Sequence, residues 1–158
     1  MSEGSRGSGD SRSEHSVPES SRNDPDPEGD PHAWYLRGLD LLGRGSPAAA
    51  EQVLLRAAAA EPESRSVREA LARAQFDARR YDQAAASFRV IVEASPTDDY
   101  AHFGLGLALA RAGDPGSAAE FLALAAAMRP DLRHYTDALH QVRATLRSRE
   151  AHKKQEDM

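Results

Sequence analysis

The chain has no cysteine, and this absence removes several kinds of site at once. Without thiols there is no disulfide framework, no thiolate zinc site and no cysteine nucleophile. No apolar run approaches the roughly 18 residues that a membrane span needs, and the alanine-rich stretches are short and interrupted by charge. The first residues also lack the positive and then apolar pattern of a secretory signal. We therefore expect a cytoplasmic protein with no cofactor, no metal and no membrane partner.

Apolar residues are nearly missing from residues 1–30, where Val17 is the only aliphatic residue after Met1. Of the 25 acidic and 20 basic residues of the chain, this segment holds eight acids and three arginines, so it carries the whole net charge of −5. Too little apolar surface is present to offset the entropy of ordering, which predicts a disordered tail. Such a tail acts as a solubilising spacer or as an acidic arm for a basic partner.

The remainder of the chain, residues 31–158, is electrically neutral, with 17 acidic and 17 basic residues left from the totals of 25 and 20. Non-specific nucleic-acid binding requires a basic face. We therefore expect no nucleic-acid partner.

What this neutral part does have is a repeat with a period of 34 residues. The spacing relates the prolines, two sets of small residues, one set of large apolar residues and one looser set: Pro62, Pro96 and Pro130; Gly38, Ala72 and Gly106; Ala50, Ala84 and Ala118; Leu54, Phe88 and Leu122; Leu41, Gln75 and Leu109. A period of about 20 to 50 residues indicates stacked repeats rather than a single globular fold.

Each 34-residue unit has the pattern of a helix, a short turn and a second helix. Ser46 and Asp114 are predicted N-caps, each followed by a proline at the first helical position, where its missing N–H costs nothing. In the middle unit, whose turn has no glycine, Asp82 is the candidate cap. The second helices are expected to end just before the repeated prolines. Glycine recurring inside the first helices suggests that a large side chain of the partner helix approaches the backbone there.

These residues resemble the tetratricopeptide repeat family over about residues 31–132, without insertions between units. The resemblance rests on these positions in units one, two and three: Trp34, Gly38, Leu41, Ala50, Leu54, Ala57 and Pro62; Leu71, Ala72, Tyr81, Ala84, Phe88 and Pro96; Leu105, Gly106, Leu109, Gly113, Ala118, Leu122, Ala125 and Pro130. It implies an all-α fold, a right-handed superhelix of helix-turn-helix repeats (an α-solenoid) with seven helices. The expected domain is 31–149, with repeats 31–64, 65–98 and 99–132.

One more amphipathic helix is predicted at 132–149, with Tyr135, Leu139, Val142 and Leu146 along one stripe. Solenoids need such a capping helix to cover the last repeat face. Residues 150–158 are charged and are expected to be frayed.

The resemblance further implies a ligand groove lined by the first helix of each unit and closed by the capping helix. The positions that face it are Tyr35, Leu39, Leu42, Glu69, Arg73, Phe76, Tyr100, Phe103, Leu107, Arg111, Asp137 and Gln141. The carboxylate clamp of the family's chaperone adaptors has no counterpart here. Its basic and asparagine columns fall on residues that are neither: Tyr35, Leu39, Ala70, Tyr100 and Gly104.

An apolar and aromatic groove with one central arginine, Arg73, takes the place of that clamp. Apolar patches of this kind usually mark interaction sites. We therefore expect a non-catalytic adaptor that binds an apolar or aromatic peptide segment of a protein partner. Three alternatives remain: Phe103 and Leu107 pack only against neighbouring helices, the tail fills the groove, or a second copy binds there in a homo-oligomer.

Enzymatic function has little support in the sequence. The six histidines form no HExxH motif and no i, i+4 pair. Asp98 and Asp99, near His102, precede a predicted helix, where aspartate is usually a cap. Gly104 and Gly106 lie inside a helical pattern and form no phosphate-binding loop.

Overall fold

The computed structural model describes residues 29–158, so the expectation of a disordered tail at 1–30 falls almost wholly outside the described residues. Within 29–158 the chain forms seven helices and no strand, as predicted. They are α1 (Pro31–Gly43), α2 (Pro47–Ala60), α3 (Arg65–Asp77), α4 (Tyr81–Ala94), α5 (Asp99–Arg111), α6 (Pro115–Met128) and α7 (Arg133–Glu156).

The helix boundaries repeat with the period of the sequence. The first helices of the units start at Pro31, Arg65 and Asp99, 34 residues apart, and α7 starts another 34 residues on, at Arg133. The last helix therefore occupies the place of a fourth first helix. It continues to Glu156, seven residues beyond the expected end at 149, because no glycine or proline follows to stop it.

The helix ends confirm part of the predicted capping. The carboxylates of Asp98 and Asp114 accept hydrogen bonds from the backbone N–H of Ala101 and Ser117, at 3.0 and 3.1 Å. α2, α4 and α6 each end two residues before a repeated proline.

Two other expected caps do not form. Ser46 occupies the cap position, but its side chain makes no capping hydrogen bond. The assignment of Asp82 was wrong, because α4 begins at Tyr81 with Arg80 as its N-cap residue. The missing glycine hid this boundary, since Arg79 takes the backbone conformation that glycine takes in the other two turns.

A left-handed residue separates the two helices in every unit. Gly45 and Gly113 have φ angles of 76° and 96°, and at the equivalent place of the middle unit Arg79 has φ 63°. A side chain in this region costs about 1–2 kcal/mol, while glycine tolerates it. The middle turn therefore carries strain that its two counterparts do not.

We expect Arg79→Gly to raise the free energy of unfolding by about 1 kcal/mol, since the relieved strain exceeds the entropy cost of glycine. Urea denaturation of the full chain measures the change. Ala78→Gly is the matched control: Ala78 has an ordinary φ of −80°, so glycine there should destabilise by about 0.5–1 kcal/mol. Equal losses in both variants would contradict the strain at Arg79.

Within a unit, the two helices approach closely where the small residues recur. A Cβ added at Gly38 would lie 2.5 Å from the side chain of Leu54, and one at Gly106 would lie 2.6 Å from that of Leu122. Both leucines are fully buried. This confirms that a large side chain of the second helix approaches the backbone of the first.

The middle unit replaces an apolar pair by a polar one. Gln75 stands where the other units have Leu41 and Leu109, and it is almost completely buried. Its Oε1 accepts a hydrogen bond of 2.6 Å from the Ser87 hydroxyl of α4. A buried amide is costly without a partner, so the serine compensates for the polar substitution.

The stack presents polar residues at both of its ends. Leu71 and Leu105, which α3 and α5 bury against the preceding unit, correspond to the exposed Arg37 in α1. At the other end, α7 buries Tyr135, Leu139 and Val142 against α5 and α6, and its outward side carries polar residues such as His140. Arg37 thus interrupts the face on which a preceding unit would pack, although Leu36 beside it stays 51% exposed.

Candidate functional site

A pocket of about 260 Å³ lies where α3, α4 and α5 meet, between the second and third units. We call it the inter-unit pocket. It is lined by Arg73, Phe76, Asp77, Phe88, Tyr100, Phe103, Gly104 and Leu107. Five of the residues predicted to face a groove meet here: Arg73, Phe76, Tyr100, Phe103 and Leu107.

Helical spacing explains how α5 supplies one wall. Tyr100, Phe103, Gly104 and Leu107 follow the i, i+3, i+4, i+7 pattern, which places them on one face of a helix. From α3, Arg73 and Asp77 stand one turn apart, as i and i+4, with Phe76 between them in sequence. The pocket therefore has apolar walls on two helices and two charged residues side by side on one of them.

Phe88 and Gly104 bring the walls of the pocket together. The Phe88 ring is buried, and a Cβ at Gly104 would lie 2.5 Å from it. Only glycine lets α5 approach the ring this closely. The sequence contained the signal, since Gly104 is the equivalent of Ala70 and Leu36, but periodicity alone does not say which side chain faces that position.

Three polar groups stand around the apolar walls. Among residues 29–158, no carboxylate lies within ion-pair distance of the Arg73 guanidinium, and the carboxylate of Asp77, one turn away, pairs with no basic side chain. Burial raises the pKa of the Tyr100 phenol above its ordinary value, and the opposing effect of Arg73 is smaller. Tyr100 is therefore a neutral hydroxyl, able to donate and to accept.

Phe103 belongs both to the pocket and to the contact with α7. Its ring stacks on that of Tyr135, with centroids 4.4 Å apart, and meets His134 edge-on at 5.3 Å. The Tyr135 hydroxyl donates to a carboxylate oxygen of Asp99 at 2.8 Å. Packing thus accounts for one side of Phe103, as the alternative reading expected, while the residue still lines the pocket.

The other predicted groove residues lie outside this pocket. Tyr35, Leu39 and Leu42 are partly buried against a cluster of buried α2 and α3 side chains that includes Leu54 and Leu71. Glu69 lies 4.0 Å from Arg65 on its own helix. The remaining three are exposed on α5 and α7: Arg111, Asp137 and Gln141. Their assignment to a binding surface stays a prediction.

A larger depression of about 540 Å³ runs along the end of α7, and all of its described lining residues belong to that helix. Within residues 29–158 this surface has no opposing wall to enclose a ligand, so the inter-unit pocket is the better candidate.

The histidines and carboxylates of the described chain are the candidates for metal-ligand groupings. Between residues 29 and 158, no three side chains among histidine, aspartate and glutamate are grouped so as to hold a metal ion. The buried His102 has Nδ1 2.8 Å from the backbone oxygen of Asp98, a structural contact at the start of α5. No helix in this part of the chain is long and apolar enough to cross a membrane.

Paired antiparallel helices, stacked at a constant period around an apolar pocket, define an α-solenoid of the kind that serves as a protein-interaction scaffold. The family model described as "Tetratricopeptide repeat" matches residues 35–99 and 96–133, which is more than half of the chain. The chain belongs to the tetratricopeptide repeat family. No curated protein matches it.

Solved structures share the fold at low sequence identity. MamA 41-end from Desulfovibrio magneticus RS-1 has a TM-score of 0.72 at 20% identity, covering 79% of this chain and 71% of its own. The first such domain of the human RPAP3 protein gives 0.70 at 18%, covering 77% and 98%. YrrB, described as having an unusual peptide-binding site, gives 0.66 at 22%, covering 70% and 57%. These similarities show the predicted superhelical fold and nothing further.

Proposed function

We propose that this protein is a non-catalytic adaptor that binds a peptide segment of a protein partner, with one apolar side chain seated in the inter-unit pocket. The observation that carries the proposal is the pocket itself, in which Phe76, Phe103 and Leu107 are only partly buried. Beside them stand the charges of Arg73 and Asp77, which form no ion pair within residues 29–158. An apolar concavity with a few polar groups at its side is the usual form of a binding site.

The size of the pocket favours a side chain over a small molecule. Sites for drug-sized ligands and cofactors typically enclose about 300–1,000 Å³, and this pocket measures about 260 Å³. A large amino-acid side chain is smaller than such ligands and suits this volume. The peptide-binding site described for YrrB, a protein with the same fold, is consistent with peptide recognition here.

Self-association is the main competing use of the same surface. A second copy that docks through the groove would contact Tyr100, which is 38% exposed. The experiment that tests peptide binding also detects this outcome.

The test selects twelve-residue peptides from a displayed random library on the full chain and measures their affinities for two variants. We expect Tyr100→Arg to weaken binding at least tenfold, because it places a charge beside the apolar walls. Leu36→Arg is the matched control, since Leu36 is 51% exposed and does not line the inter-unit pocket; the affinity of this variant should stay within twofold of the wild-type value.

Circular dichroism melts establish that both variants are folded, and sedimentation at micromolar concentration reports self-association. Peptides that bind both variants equally, or no selected peptides at all, would refute the proposal. Dimers that dissociate in Tyr100→Arg but not in Leu36→Arg would replace the peptide by a second copy.

A further inference from the structure

We propose that the side chain received by the inter-unit pocket is aromatic, and that Arg73 and Asp77 hold the peptide backbone on either side of it. This inference rests on the proposed function and specifies its ligand. It follows from the rings that line the pocket, from the balance of charge beside them and from the spacing of the two charged residues.

Aromatic rings make up most of the apolar lining. Phe76, Phe88, Tyr100 and Phe103 come from three helices, and the Phe88 and Tyr100 rings already meet edge-on, with centroids 6.2 Å apart. A planar guest placed among such rings gains edge-to-face and offset contacts in addition to the burial of its surface. A branched aliphatic guest gains the burial alone.

The charges beside the pocket select a neutral guest. Arg73 and Asp77 are one helical turn apart, so they contribute opposite charges to the same edge and no net charge. A charged guest of either sign would meet one attracting and one repelling group here, so it gains no net attraction that would offset the cost of burying its charge among apolar walls. The phenol of Tyr100 is neutral, and burial raises its pKa further above its ordinary value, so it adds no charge. Phenylalanine, tyrosine and tryptophan satisfy both the charge and the shape requirements.

The same two residues match the polar groups of an extended peptide. The guanidinium only donates hydrogen bonds and the carboxylate only accepts them. Side chains at i and i+4 of a helix stand about 5–6 Å apart, so the pair can engage a carbonyl and an N–H that flank one residue. When the aromatic side chain of a peptide enters the pocket, the carbonyl and N–H beside it lose their contact with water and then require hydrogen-bond partners. Arg73 would donate to the carbonyl, and Asp77 would accept from the N–H.

The experiment takes a selected peptide whose binding depends on Tyr100 and replaces its aromatic residue by leucine. We expect about tenfold weaker binding to the wild-type chain. Leu107→Ala removes one wall of the pocket, so the loss on replacing the aromatic should shrink to threefold or less in that variant, as residues in contact are coupled. In the matched control Leu36→Ala, outside the pocket, the loss should remain tenfold.

A second measurement does not depend on the peptide or on the variants. Titration of p-cresol into the ¹⁵N-labelled full chain should shift the backbone amide signals of Gly104 and Leu107, and isobutanol at equal concentration should shift them less.

The two charged residues beside the pocket are tested by Arg73→Gln and Asp77→Asn. Each substitution is expected to weaken binding of the selected peptide at least threefold, and the control Arg37→Gln should leave the affinity unchanged.

Failure of this inference is distinguishable from failure of the proposed function. Peptides that require Tyr100 but tolerate leucine in place of the aromatic, with no coupling to Leu107, would overturn the aromatic anchor and leave peptide binding standing. Absence of any amide shift with p-cresol would also overturn it. If no selected peptide depends on Tyr100, both proposals are refuted together.

Discussion

Gly106→Leu is expected to lower the free energy of unfolding by about 3 kcal/mol, at the upper end of what overpacking usually costs. The structure explains why the site is intolerant. A Cβ alone would lie 2.6 Å from Cγ of Leu122 and 3.2 Å from the backbone oxygen of Ala118. Leu122 is fully buried, and the backbone of α6 cannot rotate aside as a side chain does. A leucine would therefore have to push α6 away from α5.

Gly116→Leu is the matched control, because it makes the same chemical change in the neighbouring helix. The nearest heavy atom to a Cβ at Gly116 is a carboxylate oxygen of Asp114 at 3.8 Å, an ordinary contact. Leucine also favours helix more than glycine does, so this variant should be unchanged or slightly more stable. Urea denaturation of both full-length variants measures the difference. If Gly106→Leu were as stable as Gly116→Leu, the close approach of α5 and α6 would be disproved.

The sequence predicted the fold because the fold is periodic in the same way. Each unit needs a small residue where its helices approach, a large one opposite, and a proline after the second helix, so one 34-residue register carries all three signals. Gly38 against Leu54 and Gly106 against Leu122 show the relation directly. For the same reason, the starts of the first helices could be predicted to within a few residues, whereas the end of α7, which no repeat signal marks, lies seven residues beyond the expected position.

Departures from the repeat were harder to interpret. Arg79 shows that a turn can keep its left-handed geometry without the glycine that reveals it, and this led to the wrong cap at Asp82. Gln75 was visible as a polar residue at an apolar position, but its partner Ser87 lies on the next helix. Neither feature follows from local propensity, because each is imposed by the packing of neighbouring residues.

The pocket was only half predictable. The resemblance to the family placed Arg73, Phe76 and Tyr100 toward a common groove, and the structure brings them together in one pocket. The closeness of Phe88 to Gly104 depends instead on how one unit stacks on the next. Such contacts depend on the angle between units, which a repeat pattern does not specify.

The second large effect concerns the last helix, where Tyr135 is the largest fully buried side chain. We expect Tyr135→Ala to reduce the free energy of unfolding by about 3–5 kcal/mol, the range for removing a buried aromatic ring. Both the stacking on Phe103, at 4.4 Å between centroids, and the hydrogen bond to Asp99 would be lost. Thermal and urea denaturation measure the change.

Tyr135→Phe separates the two contributions, since it keeps the stacked ring and removes only the hydroxyl. Burial, and then the hydrogen bond to Asp99, raise the pKa of the Tyr135 phenol, so the hydroxyl stays protonated and donates to the carboxylate. Hydrogen bonds to charged groups contribute about 1.5–3 kcal/mol, and Tyr135→Phe should cost an amount near the lower limit because Asp99 is only partly buried. Equal losses for the two variants would mean that the hydroxyl, and not the stacked ring, secures α7 against α5. The wall that Phe103 gives to the pocket would then not depend on the tyrosine behind it.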